Sequence, residues 1–77
     1  MFLNSISKRE IEVLRLIAFE CTSKEIAEKL YISTNTVNTH KKNLRIKLDV
    51  KNIAGMVRKG FELGFLKNQK MRQNSAI

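Results

Sequence analysis

Only two residues separate two segments of helical character near the middle of the chain. The first segment ends at Leu30, and the second opens with Ser33, whose hydroxyl suits a helix N-cap. A connection made of Tyr31 and Ile32 is too short for antiparallel packing, so it forces the two helices to cross steeply. This is the geometry of a helix-turn-helix unit.

Two capping boxes fix the starts of helices before that turn. Ser7 and Glu10 form the first box, and Thr22 and Glu25 form the second. The face of the first helix is apolar at helical spacing. Its predicted core residues are Ile11, Leu14, Ile17, Ala18 and Cys21, with Val13 and Leu16 widening the face.

The chain has no proline and three glycines, which disfavours a β-sandwich or barrel. A fourth apolar segment begins near Asn52, and Gly64 suits its C-terminal end. We therefore predict an all-α, compact four-helix domain. The predicted helices cover about 8–20, 23–30, 34–48 and 52–63, within a domain at 5–66 that is followed by a disordered basic tail at 67–77.

Charge is distributed unevenly along the 77 residues, which carry a net charge of +8. Residues 29–48 contain five lysines and arginines and no acidic residue, whereas residues 1–28 contain four bases and five glutamates. Such one-sided charge favours a polyanionic partner, either nucleic acid or an anionic membrane surface.

The same composition disfavours several other classes. A domain this small has a modest core and suits a binding module better than an enzyme. The lone Cys21 allows no internal disulfide and, with the single His40, no metal cluster. We find no signal-peptide pattern and no apolar run of membrane-spanning length, so we expect a cytoplasmic protein without cofactor, metal or catalytic residues.

The third helix has an unusual outward face. On a helical wheel, Val37, Leu44 and Leu48 line the side that would be buried. The opposite side carries Asn35, Thr39, Lys42 and Ile46, flanked by Asn38 and Asn43. An ordinary solvated face would use Glu–Lys pairs, whereas amides, hydroxyls and ammonium groups are the ones that reach DNA base edges.

The motifs "REIEVL", "KEIAEKL", "ISTNTV", His40, Asn43 and the "KL" pair at 47–48 occur in one order and spacing. By these motifs, residues 5–66 resemble the LuxR-type (GerE, NarL/FixJ) DNA-binding domain of bacterial transcription regulators. The resemblance implies four helices, with the third in the major groove of double-stranded DNA and the fourth often forming a homodimer contact. It also implies an output domain of the response-regulator kind, with RNA polymerase as a further candidate partner.

The resemblance also implies roles for individual residues. Base reading falls on Asn38, Thr39 and Lys42. Phosphate contact falls on Lys24, Thr36, His40 and Lys47, and further on Ser23, Thr34 and Asn43. The apolar arc of the fourth helix is wider than packing against a small three-helix body requires, so we predict a dimer contact at Ala54, Val57 and Phe61; the alternative is that the whole arc belongs to the core. For His40 an internal bond is an equal alternative, and Lys47 could instead stay in solvent or cap carbonyl groups.

The chain departs from the family pattern at four positions. Glu20 and Asp49 stand where the family usually has glycine, so the turn at Glu20 could differ or carry strain. Asn38 stands where lysine is common, which changes the bases that would be read. Ile53 replaces a frequent arginine.

Three functions remain open at this point. The first is sequence-specific binding of double-stranded DNA by a transcription regulator. The second is promoter binding as in sigma-factor region 4, which the fourth helix disfavours. The third is binding of RNA, which the lack of aromatic residues on the polar face disfavours, or of an acidic membrane surface, which the lack of a long basic amphipathic helix free of the core disfavours. Whether the chain is a free-standing regulator or part of a longer one also stays open.

Overall fold

The computed structural model describes residues 6–67. Over this range it contains four helices: α1 (Lys8–Ala18), α2 (Ser23–Leu30), α3 (Thr34–Lys47) and α4 (Ile53–Glu62). The all-α prediction is confirmed for these residues. The predicted basic tail lies outside them, apart from Lys67.

Both predicted capping boxes form. The Ser7 hydroxyl accepts a hydrogen bond from the backbone N–H of Glu10 at 3.0 Å, and the carboxylate of Glu10 accepts one from the backbone N–H of Ser7 at 3.0 Å. Thr22 and Glu25 make the same two bonds, at 3.1 and 2.7 Å. These bonds satisfy backbone donors that a helix N-terminus otherwise leaves without partners.

Helix α1 is two residues shorter than predicted because Glu20 adopts a left-handed backbone, with φ of 66°. The N–H of Cys21 donates to the carbonyl of Leu16 and that of Glu20 to the carbonyl of Ile17. This is the Schellman arrangement, which glycine usually adopts at its left-handed position. Helix α3 ends in the same way with Asp49 at φ of 56°, and α4 with Gly64 at φ of 86°.

The core lies where the four helices meet. Helix α3 packs against both α1 and α2, and α4 packs mainly against α1. The buried hydrophobic residues are Val13, Leu14, Ile17, Ile26, Ala27, Val37, Leu44, Leu48, Met56 and Leu66. Of the predicted α1 core, Leu14 and Ile17 are buried, while Ile11, Leu16, Ala18 and Cys21 are half-buried.

Gly60 lets α4 approach the core closely. A β-carbon placed there would lie 2.7 Å from Cδ1 of Leu66 and 3.0 Å from Cδ2 of Leu14. The glycine therefore allows the turn after α4 to fold back, so that Leu66 completes the core beside α1.

Candidate nucleic-acid interface

The N-terminal turn of α3 is polar, exposed and free of acidic side chains. Ser33 is the N-cap, and its hydroxyl accepts from the backbone N–H of Thr36 at 3.0 Å. The hydroxyls of Ser33 and Thr36 also lie 2.9 Å apart. Because one hydrogen bond joins the two groups, the pair keeps one O–H that can donate outward. A helix N-terminus with these donors attracts anions.

The predicted outward face of α3 is solvent-exposed along its length. Asn35, Asn38, Thr39, Lys42 and Ile46 are all exposed, and the opposite side is buried at Val37, Leu44 and Leu48. The orientation of α3 predicted from the sequence is thus the one in the structure. Ile46 is 61% exposed, so this face ends in an uncovered apolar side chain.

Two side chains on this face are held by hydrogen bonds. The hydroxyl of Thr39 donates to the backbone carbonyl of Asn35 at 3.1 Å, which leaves its methyl group and oxygen lone pairs for other contacts. Oδ1 of Asn38 accepts from the hydroxyl of Ser23 on α2 at 2.9 Å. The same hydroxyl accepts from Nζ of Lys41 at 2.6 Å. No motif or spacing in the sequence predicts these hydrogen bonds between α2 and α3.

The residues predicted to contact phosphate lie around that face and differ in their solvent exposure and in their hydrogen bonds. Lys24, Thr34 and Thr36 are exposed, and Ser23, His40 and Asn43 are half-buried. Nδ1 of His40 is buried without a hydrogen-bond partner among residues 6–67, so any contact with DNA would have to use Nε2. The Ser23 hydroxyl is already engaged by Asn38 and Lys41.

Lys47 has a structural role that the sequence reasoning missed. Its Nζ donates to both carboxylate oxygens of Glu10, at 3.0 and 3.1 Å. The Glu10 residue is only 4% exposed, so the pair joins the start of α1 to the end of α3 in a largely buried position. A phosphate contact by Lys47 would therefore compete with an existing ion pair.

The environment of Glu10 favours its charged form. Burial by itself raises the pKa of this carboxyl group. The backbone hydrogen bond from Ser7 and the hydrogen bond and charge of Lys47 outweigh burial, with a contribution from the charge of His40. The net result is a lowered pKa for Glu10, so the carboxylate that pairs with Lys47 is also the form that caps α1.

A shallow groove between α3 and α4 extends the basic surface beyond the predicted residues. It is lined by Lys41, Lys42, Arg45, Asn52, Ile53 and Met56. Arg45 was not among the predicted site residues, although it follows Lys41 and Lys42 by one helical turn and the acid-free stretch could have signalled it.

The described residues offer little basis for other site chemistry. Within residues 6–67, no group of three or more His, Cys, Asp and Glu side chains could hold a metal ion. No helix in the same range is long and apolar enough to cross a membrane.

Comparison with known proteins identifies bacterial regulatory proteins as relatives of this chain. The sequence profile described as "Bacterial regulatory proteins, luxR family" matches residues 4–59. The chain is 51% identical over 52 residues to the oxygen regulatory protein NreC of Staphylococcus haemolyticus (strain JCSC1435), covering 68% of this chain and 24% of that protein. It is 54% identical over 46 residues to the transcriptional regulatory protein LiaR of Bacillus subtilis (strain 168), covering 60% and 22%.

A solved structure shares the fold. The response regulator ChrA of a heme-sensing two-component system superposes with a TM-score of 0.77 and 31% sequence identity, over 80% of this chain and 31% of that one. The chain thus spans about a quarter of the length of the curated relatives, at 24% and 22%. On the profile match and these identities, the chain belongs to the luxR family of bacterial regulatory proteins, as a helix-turn-helix DNA-binding domain and not an enzyme.

Proposed function

We propose that this domain binds double-stranded DNA in a sequence-specific manner, with α3 in the major groove. The observation that carries the proposal is the exposed, acid-free face of α3, set opposite the buried residues Val37, Leu44 and Leu48. A rigid helix with amide, hydroxyl and ammonium groups on one face can enter the major groove, where each base pair has its own pattern of donors and acceptors.

Base reading is assigned to Asn38, Thr39 and Lys42. All three are exposed on the outward face. The amide can pair with a purine edge, the ammonium with guanine, and the threonine methyl with a thymine methyl. The hydrogen bond from Thr39 to the backbone supports the last of these roles, because it uses the hydroxyl proton within the helix.

Phosphate contact is assigned to the residues that surround this face. Lys24, Thr34 and Thr36 are the strongest candidates because they are exposed, Lys24 at the start of α2 and the two threonines in the first turn of α3. Ser23, His40, Asn43 and Lys47 are half-buried and contribute less in this proposal. Lys47 would have to share its ammonium group between Glu10 and a phosphate.

The domain acts, in this proposal, as the DNA-binding unit of a cytoplasmic transcription regulator. The named relatives are an oxygen regulatory protein, a transcriptional regulatory protein and a response regulator. RNA polymerase is a candidate partner once the domain is bound at a promoter.

A binding-site selection from random duplexes tests the proposal. The domain should enrich one duplex sequence, and the selected duplex should compete far better than a scrambled one at the same salt concentration. Single-stranded DNA, RNA and anionic vesicles serve as parallel competitors. Equal competition by all duplexes, or stronger competition by RNA or vesicles, would contradict it.

We further propose that α4 forms a homodimer contact on DNA. Ile53 and Phe61 are 45% and 44% exposed, although both are large and apolar. With the exposed Ala54 and the half-buried Val57 they form a stripe along one flank of α4. Exposed apolar area of this kind favours a second protein surface, and a two-fold contact would pair two half-sites.

Sedimentation on duplexes with one half-site or two inverted half-sites tests the dimer. We expect one copy on the first duplex and two copies, bound cooperatively, on the second. Ala54→Gln and Phe61→Gln should reduce the cooperativity and leave single half-site binding unchanged. Independent binding by the unaltered domain on the paired half-sites would refute the α4 contact.

A further inference from the structure

The hydrogen bonds that hold Asn38 limit how its amide can face DNA. Lys41 has three donors and no acceptor, so the Ser23 oxygen must accept from it. The hydroxyl proton of Ser23 then donates to Oδ1 of Asn38. The result is a directed relay that runs from Lys41 through Ser23 to the amide oxygen of Asn38.

The relay has a physical reason to be stable. Asn38 and Lys41 are three residues apart on α3 and therefore lie on the same side of the helix. Ser23 is the first residue of α2, and the packing of α2 against α3 places its hydroxyl beside them. The nearby ammonium charge strengthens the hydroxyl as a donor and favours the amide with its oxygen, the negative end of its dipole, toward the charge.

The opposite end of the amide stays available. Asn38 is exposed, and its Nδ2 carries two N–H donors. Within residues 6–67, Nδ2 forms no hydrogen bond. An asparagine that is free to turn pairs with adenine through both its oxygen and its nitrogen. An asparagine whose oxygen is held against the protein presents donors instead.

We propose that Lys41 and Ser23 act as positioning residues that fix the amide of Asn38 with its nitrogen toward the groove. Asn38 thereby reads a base edge that carries acceptors, with guanine preferred because it offers both O6 and N7. This inference rests on the proposed function, in that Asn38 must lie in the major groove. It adds that a residue on α2 sets the base preference of a residue on α3.

The test measures relative affinity for the four possible base pairs at one position of the selected duplex. The position is the one whose preference disappears in Asn38→Ala. In the unaltered domain, guanine should be favoured there over adenine, by roughly 5- to 150-fold, the usual range for one specific contact. In Ser23→Ala and Lys41→Met, the ratio of affinities for guanine over adenine should fall most of the way to one, because the relative affinity for adenine rises. The preferences at other positions should stay the same.

Conservative variants separate positioning from a general effect on folding or charge. Ser23→Thr keeps the hydroxyl and Lys41→Arg keeps both donor and charge, so both should retain the preference for guanine. Lys41→Met weakens binding to every duplex through its lost charge, which is why the readout is a ratio of affinities. Thermal unfolding of each variant confirms that the helices remain formed.

The two proposals can fail separately. If the domain selects a duplex but Ser23→Ala leaves the base ratio unchanged, or if adenine is favoured in the unaltered domain, the relay is refuted and DNA reading stands. The relay is also refuted if no position responds to Asn38→Ala. If the unaltered domain shows no base preference at all, the proposed function is refuted together with the relay.

Discussion

At the scale of single residues, the outward face of α3 combines side chains held by the fold with side chains that are not. Thr39 is bonded to the backbone of its own helix, and Asn38 is bonded to α2. Lys24, which is assigned to phosphate contact, is exposed and forms no ion pair within residues 6–67. Held groups suit the fixed geometry of a base edge, whereas a flexible ammonium suits the phosphate backbone.

Replacing Lys24 by Ala should weaken binding to all duplexes about equally. Without this phosphate contact, binding releases one fewer counterion from the DNA. The slope of log affinity against log salt concentration should therefore fall in magnitude by about one unit. Lys29→Ala is the matched control. Lys29 lies on the other flank of α2, and its replacement by Ala removes the same single positive charge. Binding curves at several salt concentrations would show the difference. Equal slopes for the two variants would remove Lys24 from the interface.

At the scale of helices, starts were easier to predict from the sequence than ends. Starts depend on local side chains, and the boxes at Ser7 and Thr22 and the N-cap at Ser33 all form as predicted. Ends depend on one residue entering the left-handed region, which Gly64 signals in the sequence. Glu20, Tyr31 and Asp49 adopt the same region without being glycine, so the sequence pattern placed the end of α1 two residues late.

Replacing Glu20 by Gly should stabilise the domain. A left-handed conformation strains most side chains through the β-carbon, and part of the gain is offset by the greater freedom of glycine in the unfolded chain. We expect the free energy of unfolding to rise by about 0.5–1 kcal/mol. Glu20→Ala removes the same carboxylate but keeps the β-carbon, so it should give no such gain. Urea unfolding of both variants measures the effect; equal stability would show that the turn is unstrained.

At the scale of the whole molecule, the pairing of Glu10 with Lys47 connects α1 to α3. The two residues are 37 positions apart, and neither capping chemistry nor helical spacing indicates that they meet. The sequence did predict the buried side of α3 and its outward face, because both follow from local periodicity. It could not predict contacts between helices, such as this pair and the one between Ser23 and Asn38.

The stability contributed by Glu10 should depend on pH. Its pKa is lowered in the folded domain, so the contribution is complete above the ordinary carboxyl pKa of about 4.3 and is lost as the pH falls through the folded value. Glu10→Gln should therefore lower the free energy of unfolding by about 1–3 kcal/mol at pH 7, and by less at acidic pH, where protonation of Glu10 has already removed part of its contribution.

The matched control is Glu12→Gln, at an exposed site paired only with Arg9 among residues 6–67. Its effect should stay within about 0.5 kcal/mol at both pH values. Denaturant unfolding at pH 7 and pH 3 gives the comparison. A loss in Glu10→Gln that is equally large at both pH values would mean that the shape of the side chain, rather than its charge, stabilises the domain.

The most direct test of base reading by α3 is the ratio of affinities for the selected and scrambled duplexes in a variant that lacks Asn38, Thr39 and Lys42. Asn38→Ala, Thr39→Ala and Lys42→Ala together should bring this ratio close to one while the helical circular-dichroism signal is kept, because all three sites are exposed. Lys29→Ala, which loses the same net charge, should keep the ratio of the unaltered domain. If the triple variant also keeps that ratio, α3 does not read DNA bases through this face.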